Sequence, residues 1–328
     1  MTRTFSPPRR RRRNLMSLDT HETKEETARR ELAAVLADID AHPWPTEIPE
    51  ARVLYDQMGP PVAADVRSEL FEIGGMPAQL MIPPDADADR AVLFLHGGGY
   101  VYGSLASHAG LVAEIARASR CAALAVQYRL APEHPFPAAL DDACAGYEWL
   151  LRRGFKPERI ALIGDSAGGG LVMSTLVTLR DKRRPLPGAT VCISPWVDLE
   201  SKGESWRTRQ AMDPMLDLPL VEKLRVLYLP GNDLANPVVS TVNADLRGLP
   251  PMLIQVGERE VLFSEAELLA RNARAAGVDV TFEEWPQMVH VWHLYYAMLG
   301  AGREAIARVG SFVCARTRAE SRVNGNGK

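Results

Sequence analysis

Residues 160–168, IALIGDSAG, predict a buried strand that ends in a very sharp turn around Ser166. Glycines two residues before and after the serine leave room where a side chain would strike the backbone. A helix-like stretch follows from Gly170 to Arg180, so the turn joins a strand to a helix. This is the sequence form of a nucleophile elbow, which holds a serine hydroxyl beside a helix N-terminus that favours developing negative charge.

A second glycine-rich turn, HGGG at residues 96–99, follows the strand-like run Ala91–Leu95. Attack on an ester carbonyl builds negative charge on oxygen, and each fixed N–H donor lowers that barrier by about 2.7–4 kcal/mol. We therefore assign an oxyanion hole to Gly97, Gly98, Gly99 and Ala167, in which Gly97 shapes the turn and the other three supply amides. A phosphate-binding loop is disfavoured because neither Gly-Lys-Ser/Thr nor G-x-G-x-x-G follows.

A general base for the serine is predicted on the loop after the strand-like run Val280–Trp285, where His290 lies. The chain order that accompanies this turn is serine, acid, histidine, and it excludes histidines that precede the serine. His293 is the remaining rival, at the expected start of the last helix. His96 and Asp165 are expected to support the two glycine motifs, and the histidines on the wrong side of the serine are His108 and His134.

The acid that orients the imidazole is expected on the loop after the strand-like run Met252–Val256. Glu258, Glu260 and Glu265 all qualify on chain order. The ordinary alternative for each is a solvated surface carboxylate.

HGGG at residues 96–99, GDSAGG at residues 164–169 and YRLAPE at residues 128–133 together resemble the hormone-sensitive-lipase-like α/β-hydrolases, the bacterial family IV esterases. SPWVDL at residues 194–199 agrees with that resemblance, which runs from about Val92 to the C-terminus. It implies an α/β-hydrolase fold: a mostly parallel, twisted sheet with helices on both faces and a helical cap.

The resemblance also narrows the choice of acid. In the family, the acid begins an Asp-Pro-Leu-x-Asp-Glu segment upstream of the histidine, and residues 260–265, EVLFSE, occupy that position here. Glu260 stands where the family's acid stands, 30 residues before His290, with glutamate in place of aspartate. Glu258 stays in reserve because the longer side chain alters the geometry.

The implied activity is that of a serine carboxylesterase, which hydrolyses short-chain carboxylic esters through an acyl-enzyme on Ser166. No cofactor and no metal is implied. A lactone hydrolase and an acetyl hydrolase of a secondary metabolite remain alternatives, because both use the same machinery. A small-molecule receptor on this fold, as in plant hormone receptors that have lost the histidine, is disfavoured by His290.

The expected domain organisation has three parts. Residues 1–19 form a disordered basic tail with six arginines among the first 14 residues, residues 20–63 an N-terminal cap segment, and residues 64–328 the catalytic domain with a cap insertion at about 200–236. Translation from Met1 or from Met16 is left open.

Composition limits the classes of partner. The net charge is −3, but residues 15–328 carry 32 basic and 41 acidic residues, which gives no support for nucleic-acid binding. No stretch is long and apolar enough to span a membrane. Four widely spaced cysteines predict neither disulfides nor a zinc site and favour the cytoplasm. A homodimer is allowed by the resemblance and undecided by the sequence.

Strands and helices are expected to alternate along the chain, as in a parallel sheet covered on both faces. The remaining predicted strands are Gln79–Ile82, Cys121–Val126 and Ala189–Ile193, and the remaining predicted helices are Ala106–Ser119, Pro137–Arg152, Ser264–Ala276 and Leu294–Arg316.

Overall fold

Eight strands form one sheet in the computed structural model, which describes residues 23–318. The strands are β1 (Arg67–Ile73), β2 (Met76–Ile82), β3 (Asp87–Leu95), β4 (Cys121–Val126), β5 (Ile160–Asp165), β6 (Ala189–Ile193), β7 (Met252–Gly257) and β8 (Val280–Trp285). Their order across the sheet is β1-β2-β4-β3-β5-β6-β7-β8. β2 is antiparallel to both β1 and β4, and every other pair is parallel.

Helices cover both faces of the sheet and one of its ends. They are α1 (Lys24–Ala41), α2 (Ile48–Met58), α3 (Leu105–Ser119), α4 (Ala138–Arg152), α5 (Ala167–Asp181), α6 (Ser205–Thr208), α7 (Leu218–Tyr228), α8 (Phe263–Ala275) and α9 (Gly300–Thr317). Within the described residues, no helix has both the length and the apolar character needed to cross a bilayer.

Alternation along β3 shows how the two faces are covered. Val92 and Phe94 join a buried cluster with side chains of α3 and α9. Leu93 and Leu95 point to the other face and join a second cluster with side chains of α4, α5 and α8. Successive strand residues face opposite ways, so a continuous apolar run is buried on both sides. The predicted fold class, an α/β-hydrolase fold with a mostly parallel sheet, is confirmed.

The structure differs from the prediction most clearly at three elements. β1 was not predicted, because most of its side chains are exposed and its sequence is polar. α5 begins at Ala167 rather than Gly170, since the glycines after Ser166 are already helical. The closing helix begins at Gly300 rather than Leu294, because the preceding segment folds back: a Cβ on Gly302 would lie 3.0 Å from the carbonyl oxygen of Trp292.

Two segments lie outside the alternating part of the chain, and we call them the outer segments: residues 23–63, with α1 and α2, and residues 200–236, with α6 and α7. Both lie over the end of the sheet where β3 and β5 finish. Trp44 packs edge-on against Tyr102, and Tyr228 stacks on Tyr100 with ring centroids 3.7 Å apart. The predicted tail, residues 1–19, lies outside the described residues, as do residues 20–22.

Candidate active site

The turn after β5 places Ser166 in a conformation that side chains rarely adopt, with φ 52° and ψ −122°. The chain around it is packed so closely that two glycines are required. A Cβ on Gly164 would lie 2.4 Å from the carbonyl oxygen of Gly168, and a Cβ on Gly168 would lie 2.0 Å from that of Leu95. The strained serine therefore stands at the tip of the turn, directly before the first residue of α5.

Ser166 belongs to a chain of three hydrogen-bonded side chains. His290 Nε2 lies 2.9 Å from Ser166 Oγ, and His290 Nδ1 lies 2.8 Å from Glu260 Oε2. The second carboxylate oxygen, Glu260 Oε1, accepts from the Gly257 amide at 2.5 Å. All three reactive side chains are at least nine-tenths buried. The arrangement has the geometry of nucleophile, base and orienting acid.

Burial and hydrogen bonding have opposite effects on the pKa values of His290 and Glu260. Burial lowers the pKa of His290, but the hydrogen bond and the negative charge of Glu260 outweigh it, so that the pKa is raised above 6.5. Burial also raises the pKa of the Glu260 carboxyl, and its donors limit that rise because they stabilise the carboxylate. An imidazole held next to an ionised carboxylate is well suited to take a proton from the serine.

The other candidates for base and acid lie elsewhere. His293 is fully buried with Nε2 2.8 Å from Gln255 Oε1, and burial lowers its pKa to about 3. Glu258 is partly exposed and accepts from the amide of Gln287. Glu265 is buried and accepts from the amide of Val197.

The glycine-rich turn after β3 faces the nucleophile turn. Gly98 and Gly99 adopt φ values of 110° and 62°, and neither amide donates to another group within residues 23–318. Ala167 is the first residue of α5, so its amide has no partner inside the helix. These three amides are available to an oxyanion. Gly97 is not, because its amide donates to Asp165 Oδ1 at 3.0 Å, so it shapes the turn only.

Asp165 is fully buried beneath the two turns. His108 Nε2 lies 3.3 Å from Asp165 Oδ2, and a Cβ on Gly97 would lie 2.2 Å from the same oxygen. Burial raises the pKa of Asp165, but the nearby His108 outweighs it and keeps the pKa below 3.8. His96 stacks on Tyr128 and burial lowers its pKa to about 3. Both motif residues thus contact the turn rather than the space above Ser166.

A cavity of about 440 Å³ opens above Ser166 and His290. Its wall is mainly apolar and aromatic and comes largely from the outer segments. Among the described residues, no lysine or arginine lines it. Nor do those residues contain a group of three or more His, Cys, Asp and Glu side chains placed to hold a metal ion.

Two residues at the site were not predicted from the sequence. Ser194 donates to Glu260 Oε1 at 2.7 Å. It lies in the SPWVDL stretch at residues 194–199, which was used only for the family resemblance and not for a role at the site. Asp213, in an outer segment, accepts from the Val261 amide with Oδ2 and from the Met215 and Leu216 amides with Oδ1. Only its position before apolar cavity residues could have pointed to Asp213.

The fold and the turn around Ser166 define an α/β hydrolase, and a family model described as alpha/beta hydrolase fold matches residues 92–294. The chain belongs to that family and, within it, to the hormone-sensitive-lipase-like bacterial esterases.

Known proteins support this placement over most of the chain. An acetyl-hydrolase of Streptomyces hygroscopicus is 43% identical over 290 residues, which is 86% of this chain and 95% of that protein. An esterase of Acinetobacter venetianus is 32% identical and covers 70% of this chain and 77% of its own length. A crystal structure of an esterase from the bacterial hormone-sensitive lipase family superimposes with a TM-score of 0.85 at 43% identity, covering 90% of this chain and 100% of that one.

Proposed function

We propose that this protein is a serine carboxylesterase that hydrolyses short-chain carboxylic esters through an acyl-enzyme on Ser166. The observation that carries the proposal is the hydrogen-bonded chain from Ser166 Oγ through His290 to Glu260, next to three free amides. The esterases and the acetyl-hydrolase among its relatives support the reaction class.

In the acylation step, Ser166 Oγ attacks the ester carbonyl and His290 Nε2 takes its proton. The amides of Gly98, Gly99 and Ala167 hold the negative oxygen of the tetrahedral intermediate. His290 then gives its proton to the leaving alcohol, and the acyl group stays on Ser166. Glu260 keeps the imidazole oriented and stabilises its positive charge.

In the deacylation step, a water molecule enters where the alcohol left. His290 takes a proton from this water, which attacks the acyl-enzyme and forms a second tetrahedral intermediate on the same three amides. Collapse of the intermediate returns the proton to Ser166 Oγ and releases the carboxylic acid. The steps use only side chains and amides of this chain, and water.

The cavity favours small uncharged substrates. Its volume of about 440 Å³ suits a short ester, and among the described residues no lysine or arginine lines its wall to bind an anionic one. We infer that the outer segments form the cap over this cavity and exclude water when substrate is bound. A homodimer and a cytoplasmic location stay predictions.

The proposal is tested with p-nitrophenyl esters from acetate to laurate and a fluorophosphonate probe that labels activated serines. Fast hydrolysis of short esters is expected, with labelling and hydrolysis both lost in Ser166→Ala and kept in Ser311→Ala, an exposed serine on α9. Labelling without hydrolysis of any ester would contradict a carboxylesterase. An unlabelled protein would favour the receptor alternative.

A second candidate, an acetyl hydrolase, is favoured by the name of the relative that is 43% identical. Release of acetate is compared with release of butyrate from esters and amides of the same alcohol and the same amine. Release of acetate alone, from either leaving group, would support the second candidate. A lactone hydrolase stays a prediction from the sequence alone.

A further inference from the structure

The segment that follows β6 lies between the nucleophile turn and the loop of the acid, because β6 is the neighbour of both β5 and β7. Two backbone hydrogen bonds join this segment to Ser166. The Ser166 amide donates to the Ile193 carbonyl at 2.8 Å, and the Trp196 amide donates to the Ser166 carbonyl at 2.9 Å. Ser194, between these two contacts, is thereby held at a fixed distance from Ser166.

The Ser194 side chain is fully buried and contacts Glu260 and the residue that follows His290. Its hydroxyl donates to Glu260 Oε1 at 2.7 Å and accepts from the amide of Val291, the residue after His290, at 3.2 Å. One hydroxyl therefore joins the loop that carries the acid to the loop that carries the base. Ser194 also adopts φ 45°, a strained conformation for a residue with a side chain, which persists where the surroundings hold it.

The length of the Glu260 side chain makes this contact matter. A glutamate has one more rotatable bond than an aspartate, so its carboxylate must be held if Oε2 is to point at His290. The Gly257 amide and the Ser194 hydroxyl both bind the other oxygen, Oε1. Gly257 ends β7, directly before the loop that carries Glu260, whereas Ser194 follows the neighbouring strand β6 and relates the carboxylate to Ser166.

We propose that Ser194 is a positioning residue for the ester hydrolysis, which fixes the Glu260 carboxylate relative to His290 and Ser166. This inference rests on the proposed function. Ser194 does not react with the substrate. It acts through Glu260, so its effect should vanish when the carboxylate is removed.

Two substitutions separate the hydroxyl from the backbone conformation. Ser194→Ala removes the hydroxyl and keeps the strain, and Ser194→Gly removes the hydroxyl and relieves the strain. We expect kcat to fall about 10- to 100-fold in both variants, the effect of losing a hydrogen bond to a charged group, with little change in KM. Thr190→Val is the matched control, since Thr190 lies on β6, the strand that leads to Ser194, and its buried hydroxyl has no partner within the described residues.

The decisive measurement is a double-mutant cycle with Glu260→Ala, with thermal melting to show that each variant is folded. Ser194→Ala is expected to cause no further loss of kcat in the Glu260→Ala background. In the otherwise native protein, the acidic limb of the pH–rate profile should move to lower pH. A carboxylate that is no longer held against His290 stabilises the protonated imidazole less, so the pKa of His290 falls, while Asp213 and Asp165, which also raise that pKa, are unchanged.

Three outcomes would overturn the inference: native kcat in Ser194→Ala, native kcat in Ser194→Gly, or losses that add up in the double variant. If Ser194→Ala does not fold, the Ser194→Gly cycle decides. The rate of fluorophosphonate labelling at Ser166 is measured in parallel. A native protein that labels but hydrolyses no ester would refute the proposed function, and the labelling rates of the same variants would still test Ser194.

Discussion

The loops at the carboxyl ends of the parallel strands, which we call the sheet edge, and the outer segments hold their side chains in different ways. At the sheet edge, Ser166, Glu260 and His290 are buried and joined by hydrogen bonds of 2.8 and 2.9 Å. The outer segments contribute mainly apolar and aromatic surface, and Trp44 and Met212 in them are exposed. Directional bonds fix a geometry, whereas apolar contacts adapt to shape. Changes at the edge should therefore affect kcat, and changes in the outer segments should affect which substrate is preferred.

The largest effect on kcat is expected from a comparison of two buried histidines, His290 and His293. His290→Gln should lower kcat by about 10⁴- to 10⁶-fold, because the base is lost. His293→Gln should leave kcat within a few-fold and lower the free energy of unfolding by about 1–3 kcal/mol, since its bond to Gln255 is buried. Ester hydrolysis and chemical denaturation measure the two effects. A loss of kcat in His293→Gln as large as in His290→Gln would contradict the assignment of the base.

An intermediate effect is expected at the glycine turn. Gly98→Ala should lower kcat about 10²- to 10³-fold, since a Cβ there would lie 2.4 Å from the Tyr102 carbonyl oxygen and displace the amides that bind the oxyanion. Gly154→Ala is the matched control: Gly154 also has a positive φ, of 96°, but its Cβ would meet nothing within 4 Å. Kinetics and thermal melting are compared for both. Equal losses of kcat would mean that backbone strain alone matters.

The smallest expected effect concerns the outer segments. Leu224 of α7 lines the cavity and packs on Gly99, whereas Val226 of the same helix is exposed. Leu224→Ala should enlarge the cavity and raise the ratio of kcat/KM for p-nitrophenyl hexanoate to that for acetate about tenfold. Val226→Ala should leave the ratio unchanged. An unchanged ratio in Leu224→Ala, or a general loss of kcat, would show that this helix does not select substrates.

Sequence patterns predicted the parts of the site that are contiguous in the chain. The turn around Ser166 and the glycines after β3 are local motifs whose function follows from their backbone. The choice of Glu260 needed a family pattern, since Glu258 and Glu265 satisfied the chain order equally well.

Two supporting contacts across long sequence separations were not predicted. Ser194 contacts Glu260 from 66 residues away, and His108 contacts Asp165 from 57 residues away. No local pattern distinguishes either from an ordinary buried polar residue. β1 was missed for a different reason: it is an edge strand with an exposed, polar sequence, so the apolar alternation that marks a strand is absent.

Asp213 has a consequence for chimeric proteins. One carboxylate oxygen holds the amide next to Glu260, and the other holds two amides of the cavity wall. A graft that exchanges residues 200–236 for those of a relative therefore replaces part of the support for the acid's loop along with the wall. Substrate range can be transplanted between such enzymes without loss of turnover only if the donor segment brings an acceptor to the same place.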